Sequence, residues 1–291
     1  MSTVSPASPA QSAEQPARPF DLLAPPPEGA SGGRNLFAPF QARACLSVAC
    51  DAAAAQAGLP ALQGLSVDAA MQLALQRTAP IPGSCVKAWA AGDDGPLRAQ
   101  VESRGPLIVA SAIEAARADA EEMAPHLDCV RGGTLVDIGC GHGLVTAFLS
   151  RMLSPAEVIL VDIEQSAYRG HFWGAEGAGY AQLSIAGALC AAEGPAVRLV
   201  NPTRDPLPET GFDAAISTWS CGFHYPVGGY AEFFAAGIRP GGAVSLDLRM
   251  KKVEREMDAL AALSRIAPAQ EIGRTPKMRR MLFRRPAGPA T

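Results

Sequence analysis

The sequence predicts an α/β protein: a doubly wound, mostly parallel sheet with helices on both faces, preceded by a helical N-terminal module. Three observations lead there. From Gly132 onward, short apolar runs of strand length alternate with longer stretches of helical periodicity, which is the pattern of βαβ units. The first run, Thr134-Leu135-Val136-Asp137-Ile138, opens directly into the glycine turn Gly139-Cys140-Gly141-His142-Gly143. Before Gly132 no strand alternation stands out, and apolar residues recur at helical spacing instead.

Taken in order, residues 1–33 are Ala, Pro, Ser and Gln with few large apolar side chains, and they include Pro25-Pro26-Pro27. Such a segment buries too little surface to offset its ordering entropy, so a disordered leader is expected. Residues 34–127 form the helical module. Phe37, Phe40 and Ala44 recur at helical spacing, then Val67, Met71, Leu73 and Leu75, with Ser66 placed as an N-cap. Pro80 and Pro82 break this region, and Ile113 to Met123 reads as an Ala-rich helix. Residues 128–291 form the Rossmann-like domain. Its strands are Thr134 to Ile138, Val158 to Val161, Ala196 to Val200, Phe212 to Ile216 and Ala243 to Leu248. Helices are expected over Leu144 to Leu153, Tyr180 to Ala192, Gly229 to Ile238 and Val253 to Ile266. Met278 to Arg285, close to Ile272, is expected to close the sheet as an antiparallel edge.

Composition narrows the function. Of 291 residues 48% are apolar, enough for a sizeable core, and 18% are charged, below the usual ~25%. A net charge of −3 gives no general pull toward nucleic acid or a membrane surface. The best membrane candidate, Ala178 to Ala192, is Ala- and Gly-rich and contains Gln182 and Ser184, and no basic segment leads into an apolar signal core. The seven cysteines form no Cys-x-x-Cys pair, and the closest two, Cys45 and Cys50, have no histidine nearby. The expectation is a cytoplasmic protein with neither a metal site nor a disulfide framework.

The chemistry sits in the glycine turn. Glycines there let the backbone bend and approach a ligand without Cβ atoms in the way, and N–H groups at the following helix start favour negative charge. A dinucleotide fingerprint needs glycine or alanine at the sixth position of G-x-G-x-x-G, where this chain has Leu144. Asp137 lies two residues before the first glycine, a position from which a carboxylate reaches the ligand. The spacing favours a ligand that carries both a carboxylate and an ammonium group over a nicotinamide dinucleotide.

These residues resemble the first motif of the class I S-adenosylmethionine-dependent methyltransferases: an acid, an apolar residue, then G-x-G-x-G, matched by Asp137, Gly139, Gly141 and Gly143. The resemblance covers residues 130–250. It implies that Asp137, Gly139, Cys140, Gly141 and Gly143 surround the methionine part of S-adenosylmethionine. It implies too that Asp162, ending the second strand, accepts hydrogen bonds from both ribose hydroxyls. Asn201 stands where the family often has an adenine-binding acid.

After the fourth strand comes Ser217-Thr218-Trp219-Ser220-Cys221-Gly222-Phe223-His224-Tyr225-Pro226, which lacks the Asn/Asp-Pro-Pro-Tyr pattern of amino-directed DNA methyltransferases. Its Gly-Phe-His-Tyr-Pro run, with Tyr230 and Asp247-Leu248-Arg249, resembles a sugar O-methyltransferase-like subgroup. Trp219 and Tyr225 are candidates for the substrate pocket, sheet packing being the alternative, and Arg249 for an anionic substrate group, a surface charge being the alternative. His224 is the candidate general base, because an imidazole with pKa near 6.5 suits a hydroxyl nucleophile. A loop-shaping histidine is the other reading. The basic run Arg274, Lys277, Arg279, Arg280, Arg284 and Arg285 fits either a phosphate-tracking surface or a half-buried strand with a solvated face. The function expected is O-methylation of a small-molecule hydroxyl, with a small-molecule partner and neither nucleic acid nor membrane. A nicotinamide-dependent oxidoreductase and a non-catalytic cofactor-binding module are the alternatives.

Overall fold

In the computed structural model the side-chain hydroxyl of Ser66 accepts the Ala69 N–H at 3.1 Å, the N-cap read from the sequence, and α1 runs over Val67–Gln76. The structure describes residues 50–288 apart from 165–167, 172, 175–176, 210 and 253–256. The leader and the Phe37, Phe40, Ala44 recurrence lie outside the described residues. Pro82 precedes α2 (Gly83–Ala90), so the two prolines separate α1 from α2 as expected. The helix expected from residue 113 is the end of a longer one, α3 (Gly95–Met123), which kinks at Arg104 (φ −133°, ψ 16°). Pro106, two residues on, has no N–H to give the helix ladder, and the kink absorbs that loss.

Among the described residues seven strands follow: β1 (Thr134–Ile138), β2 (Glu157–Val161), β3 (Ala196–Val200), β4 (Phe212–Ser217), β5 (Ile238–Arg249), β6 (Gln270–Arg274) and β7 (Met278–Arg284). They form one sheet in the order β3-β2-β1-β4-β5-β7-β6, parallel from β3 to β5. The helices between them are α4 (Leu144–Leu153), α5 (Leu183–Ala191), α6 (Gly228–Gly237) and α7 (Met257–Ser264). β7 is antiparallel, as expected, but is not the edge of the sheet. It pairs with β5 from Ala243↔Arg284 to Arg249↔Met278, and β6 pairs with its other side. β6 escaped the sequence reading because Gln270-Glu271-Ile272-Gly273-Arg274 has no apolar alternation; an outermost strand with half-exposed faces needs none.

Alternate residues of each strand enter different cores. Leu135, Ala214 and Ile216 pack with α4, α5 and the C-terminal half of α3. Val136, Ile138, Ile159 and Val244 pack on the other face with α6 and α7. A third core, with Leu75, Trp89, Leu97 and Ile108, joins α1, α2 and the first half of α3. Both faces of the sheet are therefore covered, which a mostly parallel sheet requires. Among the described residues no helix is long and apolar enough to cross a membrane.

Candidate active site

The strand order reverses at β1, which pairs with β2 on one side and β4 on the other. In such sheets the loops leaving the two strand ends diverge and leave a crevice. A cavity of about 450 Å³ lies there. Gly139, Cys140 and Gly141 line it after β1, Asp162 and Ile163 after β2, and Thr218, Trp219, Ser220, His224 and Tyr225 after β4. Gln76 and Arg77, from the end of α1, close another side.

Two glycines show why the turn needs them. Gly139 (φ +72°) and Gly141 (φ +59°) adopt left-handed backbone. A Cβ on Gly139 would collide with Ser220, and one on Gly141 would lie 2.6 Å from Oε1 of Gln76. Gly143 is not part of the cavity wall. It starts α4 in a left-handed conformation and packs closely against Ala186.

Two carboxyl groups flank the turn. Asp137 is 3% exposed; its Oδ2 accepts the Thr146 hydroxyl at 2.6 Å, while its Oδ1 is buried without a hydrogen-bond partner among the described residues. Burial raises its pKa to about 7, against the Thr146 bond, which favours the ionised form. Asp162 accepts the Gly141 N–H at 2.9 Å and the Glu164 N–H at 3.2 Å. Burial raises its pKa to about 6 in spite of those bonds. Two desolvated acids beside a glycine turn fit a ligand with a cationic end and hydroxyls. S-adenosylmethionine has both: Asp137 would meet its ammonium end and Asp162 its ribose, as the resemblance implies.

The turn's own N–H groups, however, are spent within the protein. Those of Gly139 and Cys140 go to the Val161 carbonyl, that of Gly141 to Asp162, that of His142 to Gln76 Oε1 at 3.1 Å, and that of Gly143 to the Cys140 carbonyl. Gln76 Nε2 in turn donates to His142 Nδ1 at 2.8 Å and to the Tyr180 carbonyl at 2.9 Å. Asn201 does not reach the cavity. Its amide donates to the Ile163 carbonyl and accepts from Thr203, so it shapes the loop after β3, where Pro202 and Thr203 form the wall instead.

On the β4 side, Trp219 has a left-handed backbone (φ +54°), a conformation that costs a bulky residue energy and persists only when its surroundings hold it. Asp247 accepts its backbone N–H and Asp119 its indole N–H, both at 3.1 Å. Phe223 meets its ring edge-on at 4.9 Å. Tyr225 accepts from the Ser220 hydroxyl at 3.2 Å. His224 lies 5.0 Å from the His171 ring, and its Nδ1 is buried without a hydrogen-bond partner among the described residues. Burial lowers its pKa to about 3, helped by the charge of Arg249 and the neighbouring His171. A histidine so depressed is neutral and accepts hydrogen bonds, but it is a weak base. Arg249 stands behind this wall rather than in it: its guanidinium lies 4.4 Å over the Phe223 ring and its side chain makes no hydrogen bond or ion pair among the described residues.

The basic run resolves into a half-buried strand. Arg280 on β7 is fully buried and binds Asp247 at 2.7 and 2.9 Å, Asp119 at 2.7 Å and Glu122 at 2.6 Å. Arg274 and Arg279 face Glu271, while Arg284 and Arg285 donate to the carbonyls of His126 and Ile238. Gln76, Arg77 and Asp119 carry no local motif, and sequence reasoning did not find them. Arg77 binds Asp119 at 2.7 Å, so one carboxylate on α3 holds a cavity-lining arginine, a cavity-lining tryptophan and the buried Arg280.

A doubly wound sheet, an acid–apolar–G-x-G-x-G turn at its switch point and an acid ending β2 are the features by which the chain resembles the class I S-adenosylmethionine-dependent methyltransferase superfamily. Over 78 residues the chain is 36% identical to "Ribosomal RNA small subunit methyltransferase C" of Stutzerimonas stutzeri (strain A1501), a match that covers 25% of this chain and 21% of that protein. Among solved structures it is similar to a T. thermophilus 16S rRNA N2 methyltransferase in complex with AdoMet and guanosine (18% identity, 58% of this chain and 43% of that one, TM-score 0.41). It is also similar to a methyltransferase from Pyrococcus furiosus (15% identity, 59% and 83%, TM-score 0.42). No family model matches. The ribosomal RNA relative overturns the expectation of a small-molecule partner with nucleic acid set aside.

Proposed function

We propose that this chain is an S-adenosylmethionine-dependent methyltransferase whose acceptor is RNA. The observation that carries the cofactor reading is the pair of desolvated carboxyl groups, Asp137 and Asp162, on either side of a turn whose left-handed glycines leave no room for side chains. A nicotinamide dinucleotide fits this turn less well, since Leu144 is a buried core residue at the position its fingerprint reserves for glycine. The RNA reading is supported by the sequence relative and by the flat side chains of Trp219, Tyr225 and Tyr230 along the β4 side of the cavity, which suit a planar base.

When bound, S-adenosylmethionine supplies an electrophilic methyl group on a sulfonium. The chain's contribution is then alignment and exclusion of water, the larger part of the rate gain for a two-reactant transfer. Asp137 and Asp162 fix the donor, and the wall formed by Trp219 and Tyr225 fixes the plane of the acceptor. His224 lines the same side of the cavity. Its lowered pKa makes it a poor base for a hydroxyl, whereas a nitrogen nucleophile gives up its proton to solvent after attack and needs no base beforehand.

The test is transfer of tritium from methyl-labelled S-adenosylmethionine into RNA of the small ribosomal subunit, with a metabolite extract alongside. RNase-sensitive label supports the reading. Label confined to metabolites would refute the RNA acceptor, and no label anywhere, with cofactor binding intact, would leave a binding module.

A further inference from the structure

The end of α1 brings an arginine to the cavity with donors to spare. Arg77 caps that helix, its N–H on the Leu73 carbonyl, and its side chain is 14% exposed. Nη1 donates to Asp119 at 2.7 Å, while Nε and Nη2 have no partner among the described residues. It lines the cavity with Asp137 and the glycine turn, and its charge acts on Asp137, opposing the effect of burial there.

The cofactor proposed above ends in an amino acid, with an ammonium and a carboxylate on one carbon. Asp137 Oδ1 provides for the ammonium. For the carboxylate, the usual donors at such a turn are the N–H groups of the loop, and from Gly139 to Gly143 all of them already have protein acceptors. The Gln76 amide is committed as well, to His142 and Tyr180. Among the described residues that line the cavity, Arg77 is the arginine or lysine with donors left over, and a guanidinium held at one nitrogen by a carboxylate is set to offer its other nitrogens to a second.

We propose that Arg77 binds the α-carboxylate of the cofactor, so that the cofactor site is completed by the helical module and is not a property of the Rossmann-like domain alone. This rests on the methyltransferase reading. The test is calorimetric titration of the full chain with S-adenosylhomocysteine and with its decarboxylated analogue, which keeps the ammonium and lacks the carboxylate. Wild type should prefer S-adenosylhomocysteine. Arg77→Gln should weaken S-adenosylhomocysteine by about 10–100-fold, the scale of a charged hydrogen bond, and leave the analogue within about twofold. Arg77→Lys should restore part of the difference. Equal weakening of both ligands, or of neither, overturns the assignment. So does equal affinity of wild type for the two, a result that stands even where the glutamine variant does not fold. Failure of wild type to bind either ligand would instead remove the methyltransferase reading itself.

Discussion

Replacing Asp137 by asparagine removes a charge from the floor of the cavity while leaving an oxygen for the Thr146 hydroxyl, so it separates electrostatics from packing. With a pKa of about 7, about half of the free molecules hold a proton on Asp137 at pH 7. An ammonium set beside Oδ1 favours the ionised form, so binding expels that proton. The expected release is roughly 0.5 proton per S-adenosylhomocysteine at pH 7, about 0.9 at pH 6 and about 0.1 at pH 8. Affinity should fall by up to about tenfold per pH unit below 7. Asp162, with a pKa of about 6, adds to the release at the acid end. Calorimetry in phosphate and in Tris, whose ionisation enthalpies differ, reads the proton count directly. Asp137→Asn should bind more weakly at pH 8 and lose the pH dependence between 7 and 8. Wild-type binding at pH 7 with no proton release would refute the reasoning, as would an unchanged profile in the variant.

The same raised pKa values fix the sign of a stability effect. From about pH 4 to pH 7 the free native chain keeps protons that the unfolded chain has released, so these two carboxyl groups make it less stable as pH rises. The gain in Tm on adding cofactor should be larger at pH 8 than at pH 5.5. Asp162→Ala should cost about 1.5–3 kcal/mol of cofactor binding, because it strips the ribose partner and leaves the Gly141 N–H unpaired; affinity within twofold of wild type in a folded variant would remove the assignment. Gly141→Ala should weaken binding through collision with Gln76 and through left-handed strain. The left-handed strain alone should lower stability by about 1–2 kcal/mol, measured by thermal unfolding. Arg280→Met should destabilise the fold by about 3–5 kcal/mol, since Asp247 and Asp119 would lose the cation between them; an unchanged denaturation midpoint would contradict its role.

How much of this was legible in the sequence depended on range. β1 and the turn after it were readable because one strand-length apolar run and five residues of glycine spacing carry the whole signal. The span of α3 was not, since Gly105-Pro106 reads locally as a helix breaker and only tertiary packing of Val101, Ile108 and Val109 carries the helix past it. The run from Arg274 to Arg285 shows why charge alone misleads: side chains at alternate positions of a strand take opposite environments, and Arg280 happens to face inward toward three acids from two other elements. Asn201 was placed by family spacing, yet its amide ties its own loop to the Ile163 carbonyl after β2. Gln76 meets His142 across 66 residues, a pairing that no local pattern encodes.

The insertion of β7 between β5 and β6 has a consequence for synthesis. Asp247, which holds the backbone of Trp219, belongs to β5, but the cation that neutralises it arrives only with residue 280. While the ribosome is still making the chain, every other strand that flanks the cavity has already emerged before this counter-ion does. Until then the nascent chain carries Asp247 without its ion partner. The part of the cavity wall built on Trp219 therefore depends, through Asp247, on a cation supplied by the last strand in the sequence.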